Sequence, residues 1–406
     1  MKKSSTYQKP DNLTYRFTQL ASDVLAAAVF GRRYLRNEIR RKKGAYVVIA
    51  NHECALDFVN LIGATGRRMS FVISNSFFST LPIQGALGKM SVIPKQQFQT
   101  ELSDLKKIKN AIDAGHPVVI YPAGLMTEDG LSTPIPRATY KFLKWLGCDV
   151  YVARSYGSYF CMPKWTKGMR RGRTYIDIYK LFSKEETARL TPEEIRAKAE
   201  PALLFDAYRD QEKLRARFRR MNEIAGLENV LYRCPNCGQE FTVKLEGKDT
   251  LRCGACGFAE QADEWGFLHK LGEVGTELRY VSDWSSGIDL EMKKTLAENP
   301  GFSLDCPTEI RMIDPKKHKF VKAGSGILHF DRTEFTLRGA LRGEPFELRL
   351  PNKHIPALPF SPGRYLELQH GPEIYRCVLS DGRLAMKFIR ALKMNHILTN
   401  EEETAK

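Results

Sequence analysis

From residue 44 to about residue 180, short apolar runs alternate with stretches of helical spacing. The runs at 45–50, 70–74, 91–93, 117–121, 149–154 and 174–179 predict strands, and 56–65, 82–88, 102–114 and 136–146 predict helices. Short apolar strands separated by helices are the pattern of an α/β domain whose largely parallel sheet is covered on both faces. Ahead of this block, Leu13, Phe17, Leu20, Val24, Leu25, Ala28 and Tyr34 fall near a 3.6-residue period and predict a helix over 11–42. Behind it, Thr191-Pro-Glu-Glu opens a helical segment reaching Arg220, with a capping Thr, Pro at the first position and acids in the first turn.

The pattern changes after residue 300. Runs at 318–322, 326–330, 334–338, 346–350, 364–369 and 374–379 are punctuated by Gly and Pro, and a helix from Asp381 to about Leu398 closes the chain. Antiparallel strands followed by one helix predict an all-β barrel plugged by that helix. The order of elements resembles PH-like or GRAM-like barrels, an analogy of architecture. A shorter helix, Leu290–Glu298, is expected before it. The predicted organisation is a basic helical segment 1–43, an α/β domain 44–226, a cysteine module 232–262, a linker 263–300, and the β domain 301–406. Several domains are expected of 406 residues in any case.

Charge divides the chain. Residues 1–250 carry 41 Lys/Arg against 25 Asp/Glu, and the remainder 22 of each, so the whole net charge of +16 belongs to the first part. Such a field favours an anionic partner: a lipid surface, a phosphorylated small molecule, an acidic carrier protein or nucleic acid; solubility alone is the plain alternative. The predicted N-terminal helix ends in Arg32, Arg33, Arg36, Arg40, Arg41, Lys42 and Lys43. It suits either a lipid interface or a place on the core with its basic end in water. Polar residues follow Met1-Lys2-Lys3, and the apolar run Val24–Phe30 is too short to span a bilayer. A cytoplasmic location, peripheral on the inner membrane face, is therefore expected.

Four of the nine cysteines stand in a metal-binding pattern. Cys234-Pro-Asn-Cys237-Gly is followed, fifteen residues on, by Cys253-Gly-Ala-Cys256-Gly. Two thiolates on each of two tight turns close a tetrahedral shell, which predicts one structural Zn2+ with no position for water. A redox dithiol pair or a rubredoxin-like iron knuckle are the rivals. Gly238 and Gly257 stand where such turns need an unhindered backbone. Nucleic-acid binding through this module is weakened by Glu240, Glu246, Asp249 and Glu260.

The candidate chemistry lies at the end of the first strand. Tyr46-Val-Val-Ile-Ala runs into Asn51-His52, and Asp57 follows five residues after the histidine. That spacing does not put two residues on one helix face. It works if His52 ends the strand and Asp57 lies in the first turn of the next helix, so that the carboxylate holds one ring nitrogen and leaves the other as a base. The nucleophile must then come from the substrate. Gly85-Ala-Leu-Gly88-Lys89-Met90 has neither the length nor the hydroxyl of a P-loop, and Ala153-Arg-Ser155-Tyr-Gly157 lacks the first glycine of a nucleophile elbow.

The order of segments resembles the glycerolipid acyltransferases that acylate glycerol-3-phosphate or lysophosphatidate. Asn51-His52 with Asp57 resembles their first motif, and Gly88-Lys-Met-Ser-Val-Ile-Pro-Lys95 the second. Tyr121-Pro-Ala-Gly124 is similar to the third, usually Phe-Pro-Glu-Gly-Thr-Arg, and Val150–Gly157 sits where the fourth strand motif is expected. The resemblance spans residues 11–212. It implies that His52 deprotonates a lysophospholipid hydroxyl with Asp57 fixing its tautomer, and that the oxygen attacks the thioester of acyl-CoA or acyl-carrier protein. Backbone amides at the helix start would steady the oxyanion. Substrate contacts are expected from Asn51 and Gly124, and from Lys89, Lys95, Arg137 and Lys141 as phosphate grips or plain surface charges. Ala123, Leu125 and Met126 replace the family's Glu and Thr-Arg, so the acceptor is held differently, lacks a terminal phosphate, or is not turned over. An inactive lipid-binding scaffold and a nucleic-acid-binding zinc-ribbon protein are the alternatives.

Overall fold

The Tyr46–Ala50 strand is buried along its whole length, and the first half of the molecule is layered around it. The computed structural model describes residues 7–80, 84–95 and 102–405. The chain divides near residue 220: Lys164–Lys167 and Met221–Lys406 form a second compact unit, and the residues before Met221 form the first.

The strands of the first unit are β1 (Arg33–Asn37), β2 (Tyr46–Ala50), β3 (Ser70–Ser74), β4 (Ile93–Lys95), β5 (Val118–Ile120), β6 (Asp149–Tyr156) and β7 (Tyr175–Phe182). They form one sheet in the order β1-β7-β6-β2-β5-β3-β4. All its pairings are parallel except β6 with β7. Alternation along the strands feeds two apolar layers, as a sheet buried on both faces requires. Val47, Ile49, Val118, Val150 and Val152 pack under α5 (Leu102–Asp113), α6 (Ala138–Leu146) and α9 (Pro192–Leu203). Tyr46, Val48, Val119, Tyr151 and Ile178 pack on the opposite face with Tyr15 of α1 (Asn12–Leu25) and Leu61 of α2 (Asp57–Leu61). The remaining helices are α3 (Asn75–Thr80), α4 (Gln84–Lys89), α7 (Ser158–Cys161), α8 (Lys184–Arg189) and α10 (Ala207–Leu214).

Several boundaries differ from expectation. The N-terminal helix stops at Leu25, passes through a π-turn over Ala26–Phe30, and ends at Gly31, whose φ of 47° is left-handed. Residues 33–37 are the edge strand β1, paired parallel to β7, where Arg36 grips Asp177 with two hydrogen bonds of 2.8 and 2.9 Å. The Asp11 side chain caps α1 through the Thr14 amide. The stretch 82–88 belongs in part to α4, residues 82 and 83 lying outside the described ones. The segment from Thr191 does not run to Arg220: α9 ends at Leu203, α10 at Leu214, and Arg215 turns left-handed at φ 46°. Thr191 does form the expected cap, in a reciprocal box with Glu194.

The second unit opens with an antiparallel sheet of β8 (Val243–Glu246), β9 (Thr250–Cys253), β10 (Ala259–Ala262) and β11 (Leu268–Leu271), followed by α11 (Val281–Glu298). The helix expected at Leu290–Glu298 is the second half of α11. A seven-stranded antiparallel sheet follows: β12 (Ser303–Asp314), β13 (Lys319–Asp331), β14 (Glu334–Leu341), β15 (Glu344–Pro351), β16 (Phe360–Ser361), β17 (Tyr365–His370) and β18 (Glu373–Leu379). Its order is β15-β14-β13-β12-β18-β17-β16, and α12 (Leu384–Ala405) ends the chain. Two expected strands, 318–322 and 326–330, are one strand, β13; its partner β12 was not anticipated. Arg390 of α12 is buried against α11, bonded to the Ser285 carbonyl at 3.0 Å and Oγ at 2.6 Å and paired with Asp289.

Candidate functional site

His52 follows the central strand at its carboxyl end, beside the ends of the parallel strands β5 and β6. Sites in open α/β sheets gather there because the loops leave the sheet on that side. Asn51 fixes the exit. Its Oδ1 accepts the Ser155 amide at 2.7 Å, and its Nδ2 donates to the Ser155 carbonyl at 2.9 Å and to Glu53 Oε1 at 3.1 Å. The side chain thus prolongs the ladder between β2 and β6 by one rung. Asn51 borders the cleft, but its amide is committed to the protein.

Asp57 is the first residue of α2 and is 1% exposed at its side chain. Its Oδ2 lies 2.9 Å from His52 Nδ1 and accepts the amides of Glu53 at 2.7 Å and Cys54 at 2.9 Å. The Cys54 thiol donates to Oδ1 at 3.4 Å. One carboxylate therefore ties the turn together and orients the imidazole. The amides of Glu53 and Cys54, which precede the helix, are consumed in doing so. The His52 ring is partly exposed, and its Nε2 has no protein partner among the described residues.

The loop after β5 closes over the histidine. The Tyr121 ring lies 4.5 Å from the His52 ring at 30°. Tyr121 to Gly124 is a turn, with the Gly124 amide donating to the Tyr121 carbonyl at 3.0 Å. The Thr127 amide donates to the His52 carbonyl at 3.2 Å, and Thr127 Oγ1 accepts the Gly130 amide at 2.9 Å. A narrow cleft of about 10 Å³, room for about one water, reaches His52, lined also by Ala123, Leu125, Ser132, Thr133, Ile135, Leu203 and Phe205. Its walls are mostly apolar, with the side chains of Ser132 and Thr133 among them.

The basic residues singled out in the sequence do not line this cleft. Lys89 ends α4 and is exposed, and its carbonyl accepts the Asp11 amide at 2.6 Å. Lys95 lies on the edge strand β4, where burial draws its ammonium pKa down against the pull of Asp104. Arg137 and Lys141 are exposed at the start of α6. Gly124 is close to the site through its turn; its side of the loop carries Ala123 and Leu125 into the cleft.

Sequence reasoning did not single out Glu53 or Arg154. Glu53 is fully buried, and desolvation lifts its carboxyl to about 8. Arg154 of β6 is buried, pairs with Asp210 at 2.6 Å, and lies about 5 Å from the rings of Tyr156 and Phe205. The available signal was a charged residue inside an apolar motif: Glu between His52 and Cys54, and Arg inside strand β6.

The four cysteines of the module cluster in the fold. The sulfurs of Cys234, Cys237, Cys253 and Cys256 lie within 4.8 Å of one another. Cys234 and Cys256 are 3.7 Å apart, and Cys237 and Cys253 3.8 Å. Four thiolates at about 2.3 Å from one ion form a tetrahedron with edges of about 3.8 Å, so the cluster can hold a single tetrahedral metal. The two turns match: the Gly238 amide donates to the Cys234 carbonyl and the Gly257 amide to the Cys253 carbonyl, each at 3.0 Å, with φ of 72° and 79° at the glycines. Asn236 Nδ2 reaches Cys256 Sγ at 3.4 Å and Thr242 Oγ1 lies 3.2 Å from Cys253 Sγ, contacts of the kind that steady thiolate ligands.

Residues 31–152 match a protein-family model described as Acyltransferase, a span that contains β2, the His52–Asp57 pair and the loop after β5. That stretch is accordingly an acyltransferase-like α/β region. Among solved structures, the chain is similar to the 1-acyl-sn-glycerophosphate (LPA) acyltransferase PlsC from Thermotoga maritima. The identity is 15% and the TM-score 0.41, covering 50% of this chain and 78% of that one. Comparison with curated proteins gives no match.

Proposed function

We propose that the chain is a peripheral membrane acyltransferase that moves a fatty acyl group from acyl-CoA or acyl-carrier protein to the hydroxyl of a lysophospholipid, of the 1-acylglycerol-3-phosphate kind. The observation that carries the reading is the pair itself: His52 Nδ1 is held by the buried Asp57, and Nε2 is left toward the cleft. His52 Nε2 takes the acceptor's hydroxyl proton as its oxygen bonds to the thioester carbonyl carbon. The tetrahedral oxyanion collapses, the carbon–sulfur bond breaks, and the thiolate leaves with the proton from the imidazolium. Asp57 stabilises that imidazolium and fixes the tautomer. No covalent enzyme intermediate is required.

A surface for lipid lies on α1. Leu13, Phe17, Leu20 and Val24 are 62–79% exposed and, at spacings of four, three and four, stand on one helix face. Arg16 and Arg33 are exposed nearby in the sequence, and the basic excess of residues 1–250 complements an anionic membrane surface. No helix among the described residues is long and apolar enough to cross a membrane. The reading places the protein on the cytoplasmic face of the inner membrane. The cysteine cluster holds a structural Zn2+, and the seven-stranded sheet with α12 is a PH-like barrel that recruits lipid or a partner.

Ala123 and Leu125 in the cleft favour one second reading, an inactive scaffold that binds lipid without turnover. Nucleic-acid binding is disfavoured because bases in this unit are already paired with acids of the cysteine module, Lys387 with Glu240 at 2.6 Å and Arg252 with Glu246 at 2.7 Å. Thiol release from acyl-CoA or acyl-carrier protein, with and without 1-acylglycerol-3-phosphate, separates the readings. Lysolipid-dependent release supports catalysis; lysolipid binding without release supports the scaffold.

A further inference from the structure

We propose that a platform of exposed arginines, at the same edge of the first sheet as His52, binds anionic lipid headgroups. The inference rests on the membrane-surface part of the reading above and extends it beyond α1. Three segments far apart in sequence build the platform. The Gly172 amide donates to the Val29 carbonyl at 2.9 Å, the Thr174 amide to the Phe30 carbonyl at 2.7 Å, and the Arg33 amide to the Thr174 carbonyl at 2.9 Å. On its other side Gly172 forms an antiparallel bridge with Phe218, and the Arg219 amide donates to the Arg171 carbonyl at 2.7 Å. Glycine is needed where the segments touch. A Cβ on Gly31 would lie 2.7 Å from the Gly172 carbonyl oxygen, and one on Gly172 would lie 1.8 Å from the Phe218 ring. Arg33, Arg171, Arg173, Arg217 and Arg219 are exposed on this frame.

The sign of this surface is uniform. Residues 29–33, 168–174 and 213–220 contain no Asp or Glu. Across the antiparallel bridge, Arg171 stands opposite Arg219 and Arg173 opposite Arg217, and like charges directly opposite one another destabilise a pairing. A layer of anions relieves that repulsion. Asp23 and Asp177, which border the first two segments, are taken by Arg32 at 2.7 Å and Arg36 at 2.8 Å. The platform also continues the apolar stripe of α1. Beyond Val24, Ala27 and Ala28 are exposed, and the next residue, Val29, carries the carbonyl that holds Gly172. Met169, 50% exposed, adds an apolar side chain beside the arginines. Apolar side chains next to a cationic cluster match a bilayer of anionic lipids, which sets phosphates above hydrocarbon. That juxtaposition favours a membrane over nucleic acid or an acidic protein. The place is apt as well. Tyr156, at the carboxyl end of β6, pairs with Tyr175 at the start of β7, which pairs with Arg33. With β7 and β1 the second and third strands from β2, the platform stands about 10–15 Å from His52 along the sheet edge.

The test is sedimentation of the full-length protein with phosphatidylcholine vesicles, with and without phosphatidylglycerol. The wild type is compared with Arg171→Gln, Arg173→Gln and Arg219→Gln combined, and with Lys244→Gln, Lys248→Gln and Lys294→Gln combined, a change of equal charge in the second unit. The wild type and the lysine variant are expected to bind phosphatidylglycerol vesicles alike. The arginine variant, at an unchanged melting temperature, should bind them at least about 20-fold more weakly, since one basic side chain near an anionic surface is worth about fivefold. Unchanged binding by the arginine variant overturns the proposal, as does an equal loss in the lysine variant. A wild type that binds duplex DNA or acyl-carrier protein but no vesicle overturns it too. Should the triple variant not fold, Arg219→Gln alone decides: a loss of about fivefold is expected, and none overturns the platform. Phe17→Ser with Leu20→Ser separates the two lipid surfaces, because a loss there without one in the arginine variant leaves α1 and removes the platform. Vesicle binding needs no turnover, so an inactive wild type contradicts the acyl-transfer reading and leaves this test standing.

Discussion

Asp57 Oδ2 binds His52 Nδ1 at 2.9 Å while also accepting the two backbone amides that follow the histidine. The carboxylate is therefore both the orienter of the imidazole and the keystone of the turn that carries it. Replacing Asp57 with Asn leaves an amide that can donate to Nδ1 and so favours the wrong tautomer. We expect Asp57→Asn to lower kcat by about 10²–10⁴ with little change in KM, measured as lysolipid-dependent thiol release. An equal loss spread over KM would place the residue in substrate binding instead.

Asn51 joins the end of β2 to β6 with two hydrogen bonds to Ser155 and reaches Glu53 with a third, in a buried setting. Asn51→Ala leaves the Ser155 amide and carbonyl without those partners. A loss of about 2–4 kcal/mol in unfolding free energy is expected from urea melts, since each stranded buried group costs about 1–3 kcal/mol. A change below about 0.5 kcal/mol would show that water or a backbone shift replaces the rung.

This rung also shows where the sequence was informative and where it was not. The strand running into Asn51-His52 and a helix with Asp57 in its first turn were legible, because apolar runs and the five-residue spacing are local features. The use of Asn51 was not, because its partner lies 104 residues away in the chain. Helical periodicity carried the N-terminal helix too far for a related reason. Gly31 was a visible stop signal, but the force that makes 33–37 a strand is its pairing with β7. β12 was hidden by Pro307 and by charges that alternate toward solvent along a strand buried on one face only. Lys89, Arg137 and Lys141 illustrate the converse. Their charge was easy to read, and their distance from the cleft depends on packing that no spacing reports.

The apolar stripe of α1 makes a separate claim. Phe17 and Leu20 are 73% and 65% exposed, so Phe17→Ser with Leu20→Ser should leave Tm nearly unchanged. Each buried side chain of this size contributes about 1.5–3 kcal/mol on transfer from water, so binding to anionic vesicles should weaken at least about 30-fold in sedimentation. Unchanged vesicle binding would move the lipid contact elsewhere.

The cysteine cluster should contain one zinc per chain by elemental analysis, bound through four sulfurs by X-ray absorption. Cys253→Ser is expected to lose the metal and lower the melting temperature by more than about 10 °C, given the folding free energy that structural zinc supplies. Full metal retention in that variant would contradict a four-thiolate site.

The central claim is that His52 is the base for acyl transfer to a lipid hydroxyl. The most direct measurement follows labelled acyl groups from acyl-CoA or acyl-carrier protein into lysolipid, comparing wild type with His52→Ala at matched thermal stability. The account predicts labelled diacyl product from the wild type and a loss of at least about 10²-fold in the variant. Equal label in the product of both proteins would contradict it.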